Sequence, residues 1–296
     1  MLSSSLLTNT SAMTALESLN MTQQSLSQTE NQVSTGLAIS SAADNASYWS
    51  IAAKMTSNVG ALGAVSNALN ESQAMVSTMT TALTSTLSVM DSIKNDLVTA
   101  SQPGADLTKI QTDITAQQTS LLSIGQSSNF NGVNFLETSG ANVNLVASYD
   151  SSNGVGFLTV DTSNTALFGT AGAASTTGIL GQTGAAFTGA SILTLNITAA
   201  TAGDLANMLT DVETAISSIT TAASILGSTT TNLTTQQSYI SNLTDSLTTG
   251  VGALVDANMN EASTKLAALQ VQQQLGVQSL SIANQNTQLI LKLFGG

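Results

Sequence analysis

Few side chains in this sequence could do chemistry, and their spacing does not favour catalysis. Asp204, Asp211 and Glu213 lie close together near the start of a predicted helix and invite an acid–base reading. Carboxylates in that position also interact favourably with the helix dipole, and that simpler explanation is enough. Asp256 and Glu261 are not spaced as an obvious pair. The chain has no His and no Cys. The commonest general base and metal ligand is therefore missing, together with thiolate metal sites, disulfides and any HExxH zinc motif. The cations are Lys54, Lys94, Lys109, Lys265 and Lys292, with no Arg. None has Ser three positions before it, so no SxxK nucleophile exists. The glycines between residues 169 and 184 have no Lys after them and no strong strand before them, which argues against a phosphate loop. Asn-x-Ser/Thr triplets such as Asn45-Ala46-Ser47 and Asn196-Ile197-Thr198 are expected by chance in a chain this rich in Asn, Ser and Thr. No catalytic residue, metal site or cofactor is predicted, and the chain is not expected to be an enzyme.

The composition points instead to packing. The chain has 296 residues, enough for a substantial core. Aromatic residues are 3% and charged residues 7%. With a mean hydropathy of +0.22, this is not the low-hydrophobicity, high-charge signature of disorder. It fits an elongated protein whose small apolar side chains are buried against other helices, some of them in other subunits. The net charge of −12 and the scattered lysines exclude a nucleic-acid footprint and disfavour an anionic membrane surface. The opening MLSSSLLTNTSAM has no basic residue and no long apolar run, unlike a secretory signal peptide. Residues 266–291 are long enough to span a bilayer but contain many Gln and Asn, whose burial in hydrocarbon is expensive.

The elements follow from the pattern. Breakers are rare up to about Asn129, apart from Pro103 in a turn between two helices. From about Phe130 to Gly203, Gly, Asn and Thr become dense. Residues 143–149 and 155–160 alternate around Asn153-Gly154, a β-hairpin signal. Residues 192–197 read as another strand. Helical spacing returns from about Asp204. Two heptad series stand out: Ala12, Leu16, Leu19, Gln23, Leu26, Glu30, Val33, Leu37 near one end, and Val255, Met259, Ala262, Leu266, Leu269, Gln273, Gly276, Leu280, Ala283, Thr287, Ile290, Phe294 near the other. The predicted fold is mainly α: an elongated hairpin-like molecule with paired N- and C-terminal coiled-coil helices and a small β-rich insertion. Apolar stripes that one chain cannot cover mark association surfaces, and open head-to-tail repetition gives a filament.

Several segments resemble bacterial flagellins. Residues 8–16, Thr-Asn-Thr-Ser-Ala-Met-Thr-Ala-Leu, are similar to the family's opening. Gln32 to Ala46, with Asp44, resembles the family's lSSGlrInsAkDdaa block. Phe130-Asn131-Gly132 matches its FNG motif, and Leu280-Ser281-Ile282-Ala283-Asn284-Gln285 matches its LSIANQ ending. These matches span roughly the first 135 and last 95 residues, in order.

The resemblance implies a structural subunit that self-assembles into a secreted, extracellular filament for swimming. It implies residues 1–36 with 262–296 as an inner coiled-coil core, 37–137 with 204–261 as an outer helical core, and 138–203 as a β-hairpin with a short variable outer region. The subunit-packing candidates are Leu16, Leu19, Leu26, Val33, Leu37, Leu266, Leu269, Leu280, Ile282, Ala283 and Ile290. Partners implied are many copies of the chain itself, an export chaperone on the C-terminal region from Leu254 to Phe294, and hook-associated and filament cap proteins. The family's arginines are absent: Ala38 and Ala43 stand where basic residues are common, and Ser88 to Leu97 keeps only Lys94. Weak or no innate immune receptor recognition is expected, because bidentate contacts need Arg. The alternatives are a hook–filament junction protein of the same superfamily and, further off, a secreted adhesin or type III translocator. Deleting 138–203 should spare a filament former and disable an adhesin.

Overall fold

The computed structural model describes residues 9–134, 136–137, 142–169 and 176–294, with side chains up to Gln285 in the last helix. The fold is mainly α. Helices α1 (Thr10–Thr35), α2 (Ala46–Ala100) and α3 (Leu107–Ser127) precede an antiparallel hairpin of β1 (Asn142–Asp150) and β2 (Gly154–Asp161), and α4 (Ala202–Val255) and α5 (Met259–Phe294) follow. The chain divides into two compact units, one of Met1–Val59 with Asp245–Gly296 and the other of Gly60–Thr244.

Each helix starts on a polar cap. Asn9 Oδ1 accepts from Ala12 N at 3.0 Å, Asn45 Oδ1 from Ser47 N at 3.1 Å, and Asp106 Oδ1 from Lys109 N at 3.3 Å. Thr201 and Asp204 cap α4 reciprocally, and Asn258 Oδ1 accepts from Asn260 N at 3.2 Å before α5. Inside the helices the many hydroxyls turn back onto the carbonyl four residues earlier, as Thr80, Thr84, Ser88 and Ser92 do along α2. Helices so rich in Ser and Thr satisfy most of these groups without outside partners, the buried Thr86 hydroxyl being an exception.

The 60–244 unit holds the main core. Along α2 the buried seam positions of this unit, flanked by buried Ala82, are Leu62, Val65, Leu69, Ser72, Val76, Met79, Leu83, Thr86, Met90, Ile93, Leu97 and Ala100. They alternate by three and four throughout, a strict heptad seam. On α4 the same spacing buries Leu205, Met208, Val212, Ala215, Ile219, Ala222, Leu226, Thr229 and Leu233. Here the two helices run antiparallel, as three cross-links show: Lys94 Nζ to Glu213 Oε1 at 2.9 Å, Gln73 to Thr234 at 3.3 Å, and Gln237 to Ser66 at 2.6 Å. The sequence reading found heptads only at the termini and missed this stronger repeat. Its spacing was visible, but Ser, Thr and Ala at several core positions weaken the apolar signal.

Helix α3 completes this core with Ile114 and Leu121, both fully buried. The Phe168 ring occupies the space a side chain at Gly125 would need, so the loop after the hairpin is seated directly on α3. The hairpin matches the prediction, with Asn142 paired to Asp161 and Asp150 to Gly154 and a bulge between Val146 and Ser148. The predicted strand at 192–197 is not one. Residues Ile192–Thr194 form a 3-10 turn, and the segment joins no sheet. Its alternation is real, since Leu193, Leu195 and Ile197 are buried while Thr194 and Asn196 are exposed. Glutamines of α3 take the place of a neighbouring strand. Gln118 Nε2 donates to the Ile192 and Leu195 carbonyls at 2.9 and 3.0 Å, and Gln111 Oε1 accepts from Ile197 N at 2.7 Å. Period two reports a half-buried extended segment and says nothing about what satisfies its backbone.

Candidate assembly surface

In the other unit, α1 and α5 pair antiparallel. Gln273 Nε2 donates to Gln23 Oε1 at 2.8 Å, Asn9 Nδ2 donates to the Ala283 carbonyl at 3.0 Å, and Leu19 packs where a side chain at Gly276 would begin. From Met259 to Gln285, the positions withdrawn from solvent are Ala262, Leu266, Leu269, Gln273, Gly276, Leu280 and Ala283. That is the predicted series, apart from exposed Met259.

On α1 the series differs by alternate members. Ala12, Ala15, Leu19, Thr22, Leu26, Thr29 and Val33 turn inward, so Leu19, Leu26 and Val33 lie where predicted. Leu16 is 48% exposed, Glu30 also faces out, and Gln23 is exposed though it reaches across to Gln273. The physical reason is steric. Heptads can be read with the second position three or four residues after the first. Here the register through Leu19 and Gly276 sets Ala15 across from Leu280 and Thr29 across from Leu266, so small side chains of α1 receive the leucines of α5. Choosing Leu16 by hydrophobicity alone selects the wrong member.

The seam is thin. Among the described paired positions only Leu26, Thr29, Ala262 and Leu269 are buried. Two leucines supply roughly 1.5–3 kcal/mol each when fully covered. Ordering the backbone costs about 1–2 kcal/mol per residue before hydrogen bonds and packing are counted. Much apolar surface meanwhile faces out: Met13, Leu16 and Met21 on α1, and Val271, Leu275, Val277 and Ile282 on α5, each at least 48% exposed. Val271, Leu275 and Ile282 fall on one face of α5 by helical spacing. Tyr48, Trp49 and Ile51 at the start of α2 are also exposed, and the sequence reading passed over them. Consecutive bulky residues at a helix start were the available signal. The side chain of Ile290 lies outside the described residues.

The junctions of this unit are held by backbone. Gly36 ends α1 in the left-handed region (φ 74°) and accepts from Ala257 N at 2.8 Å. Ala38 N donates to the Val255 carbonyl at 2.7 Å, and Leu37, half-buried, bridges to Asp256. Asp44 closes the next loop. Its Oδ2 accepts from the backbone N and the hydroxyl of both Ser40 and Ser41, at 3.0 to 3.1 Å. These bonds, led by the Ser41 and Ser40 amides, hold its carboxyl below the ordinary range. In the 60–244 unit, Phe130-Asn131-Gly132-Val133 is a tight turn. Asn131 (φ 50°) and Gly132 (φ 83°) occupy its left-handed corners, and Phe130 and Val133 exchange backbone hydrogen bonds at 2.9 Å. That is the type I′ geometry that Asn-Gly favours. Asp44, Asn131 and Gly132 therefore shape backbone. Phe130 is half-buried.

Comparison with known proteins gives one family. Residues 6–141 match the bacterial flagellin N-terminal helical region, and residues 209–294 match the bacterial flagellin C-terminal helical region. The chain is 42% identical to a flagellin of Brucella melitensis biotype 1, over 99% of both chains. It is 38% identical to flagellin C of Rhizobium meliloti, over 98% of this chain and 99% of that one. It is also 31% identical to the flagellin FljM of Caulobacter vibrioides, over 97% of both. The two regional matches leave the hairpin, the loops after it and the first residues of α4 uncovered.

Proposed function

The chain belongs to the bacterial flagellin family, structural subunits of the extracellular filament that drives swimming, and from that premise we propose that it polymerises through the outward faces of α1 and α5. The observation that carries this reading is the mismatch between seam and surface. Two well-buried leucines join the terminal helices, while Met13, Leu16, Met21, Val271, Leu275 and Ile282 face outward. Covering those side chains with sister molecules supplies the apolar burial that the pair lacks within one chain. Residues 1–36 with 262–296 then form the inner core of the filament, and 37–137 with 204–261 the outer core. Leu19, Leu26, Val33, Leu266, Leu269, Leu280 and Ala283 build the pair, whereas Leu16 and Ile282 meet neighbours. Leu37, half-buried, extends the same packing.

The finer partners follow from the family. The stretch from Leu254 to Phe294 is the proposed seat of an export chaperone, since α5 presents its apolar side chains before assembly. Hook-associated and cap proteins would contact the ends of the polymer. Recognition by the innate immune receptor is weak or absent, because Ser88 to Leu97 offers only Lys94, which Glu213 already engages. The protein has no catalytic role. Nothing favours the hook–filament junction reading, and the relatives named above are all flagellins.

Ile282→Asp and Leu16→Asp test the assignment. Each variant should retain its helical circular-dichroism signal and fail to elongate on filament seeds. Normal filaments from either would refute the outward-face assignment. A deletion test against the adhesin reading needs care, because 162–197 supplies the buried residues Thr162, Leu167, Phe168, Leu180 and Ile192. Removing 138–203 would strip core, so only the hairpin is a suitable deletion. Filaments should survive its loss.

A further inference from the structure

The sequence contains two Asn-Gly dipeptides, Asn131-Gly132 and Asn153-Gly154, and both lie in exposed turns. Asparagine followed by glycine is open to an internal reaction that needs no catalyst. The glycine nitrogen attacks the asparagine Cγ, a C–N bond closes a succinimide ring, and the Cγ–Nδ2 bond breaks. Ammonia leaves, carrying the proton from the glycine nitrogen. Water then opens the ring at either carbonyl, leaving aspartate or its β-linked isomer. The absence of a side chain on glycine lets the nitrogen approach.

The two sites differ in what holds the reacting atoms. At Asn131 both are engaged. Its Nδ2 donates to Glu71 Oε1 at 3.2 Å, and the Gly132 nitrogen donates to Asn129 Oδ1 at 2.8 Å. Attack requires both bonds to break within a turn closed by Phe130 and Val133. At the hairpin tip, the Asn153 backbone N–H and that of Ser152 donate to Asp150 Oδ1 at 2.9 and 2.7 Å, whereas the Asn153 side-chain amide has no hydrogen-bond partner among the described residues.

We propose that Asn153 is a site of spontaneous deamidation and that the fold shields Asn131, the chain's other Asn-Gly, from the same reaction. Conversion at Asn153 places a second carboxylate in the turn whose backbone is already gathered around the Asp150 carboxylate. The β-linked product also adds a carbon to the main chain immediately before Gly154, where β2 begins.

The test is ageing of the full-length soluble protein in mildly alkaline buffer, followed by peptide mapping and enzymatic labelling of isoaspartate. Asn153 should convert up to about tenfold faster than Asn131, the ratio implied by one further hydrogen bond to break. In concentrated urea the two rates should converge. Equal rates in the folded protein, faster loss of Asn131, or a difference that persists in urea would each overturn the proposal. The double substitution Asn129→Ala with Glu71→Ala keeps Asn131-Gly132 and removes both restraints. It should raise Asn131 conversion toward the Asn153 rate in protein that retains its helical signal. An unchanged rate would show that these two bonds are not the shield.

Discussion

The two long helix pairs of this molecule use the same heptad spacing for opposite ends. Within residues 60–244, α2 and α4 bury nearly every seam position, with Leu69, Val76, Met79, Leu83, Met90 and Ile219 at 1% exposure or less. Between α1 and α5 the seam positions are mostly half-exposed, and large apolar residues stand on the outer faces. The first pair is complete within one chain. The second leaves large apolar side chains uncovered within one chain. Periodicity describes which side chains share a face. It does not say whether that face belongs to the chain or to an assembly.

The comparison breaks most visibly under truncation of the closed seam. Leu83→Ala should cost about 2–5 kcal/mol in chemical denaturation of the monomer, a cost typical of a cavity at a fully buried leucine. A loss comparable to that of a surface substitution would show that the α2–α4 core is looser than its burial indicates. The terminal pair should respond in the opposite way. Leu280→Asp and Ile282→Asp should both abolish elongation on seeds, yet shift the denaturation midpoint of the 60–244 unit very little. Leu280 is turned toward α1 and Ile282 away from it. Leu280→Asp alone should therefore weaken protection of the terminal helices in hydrogen exchange. Equal protection in the two variants would erase the distinction between seam and outer face.

A smaller effect is expected at the glutamine clips. Gln118→Ala strands the carbonyl of Ile192, leaves that of Leu195 to Gln111 alone, and should cost about 1–3 kcal/mol. Gln118→Glu cannot donate to them and should be at least as damaging. A neutral Gln118→Ala would mean that water replaces the glutamine. The smallest effect is the pH response of the turn carboxylates. Asp44, Asp150, Asp161 and Asp204 all have folded-state pKa values lowered by hydrogen bonds from nearby amides and hydroxyls. A lowered folded pKa means that the contribution is full above the unfolded pKa and is lost as pH falls through the folded value. These turns should be indifferent to pH from neutrality down to about 5, loosening only in acid. An NMR titration that put Asp44 at or above its ordinary 3.8 would contradict the four bonds drawn to it.

Much of this was legible in the residues. The α5 series from Ala262 to Ala283 was read in register because a single spacing fits Ala262, Leu266, Leu269, Leu280 and Ala283. The Asn153-Gly154 hairpin and the Pro103 turn were equally plain, because Gly and Pro act through local backbone sterics that need no tertiary information. The α1 register was only half legible. Leu16 is more hydrophobic than Ala15, but fit to the leucines of α5 decides which of them turns inward. The 192–197 segment was misread for a related reason, since its partners are side chains of α3, about 80 residues away in sequence.

The sequence by itself determined the helices, their caps, the hairpin and the absence of His and Cys chemistry. These depend on residue type and short spacing, and such interactions act within a few residues of chain. Only the tertiary structure decided which seams are closed, which leucines face outward and which Asn-Gly is restrained. Those outcomes depend on how volumes and hydrogen bonds match between segments far apart in the chain, and no local pattern encodes that match.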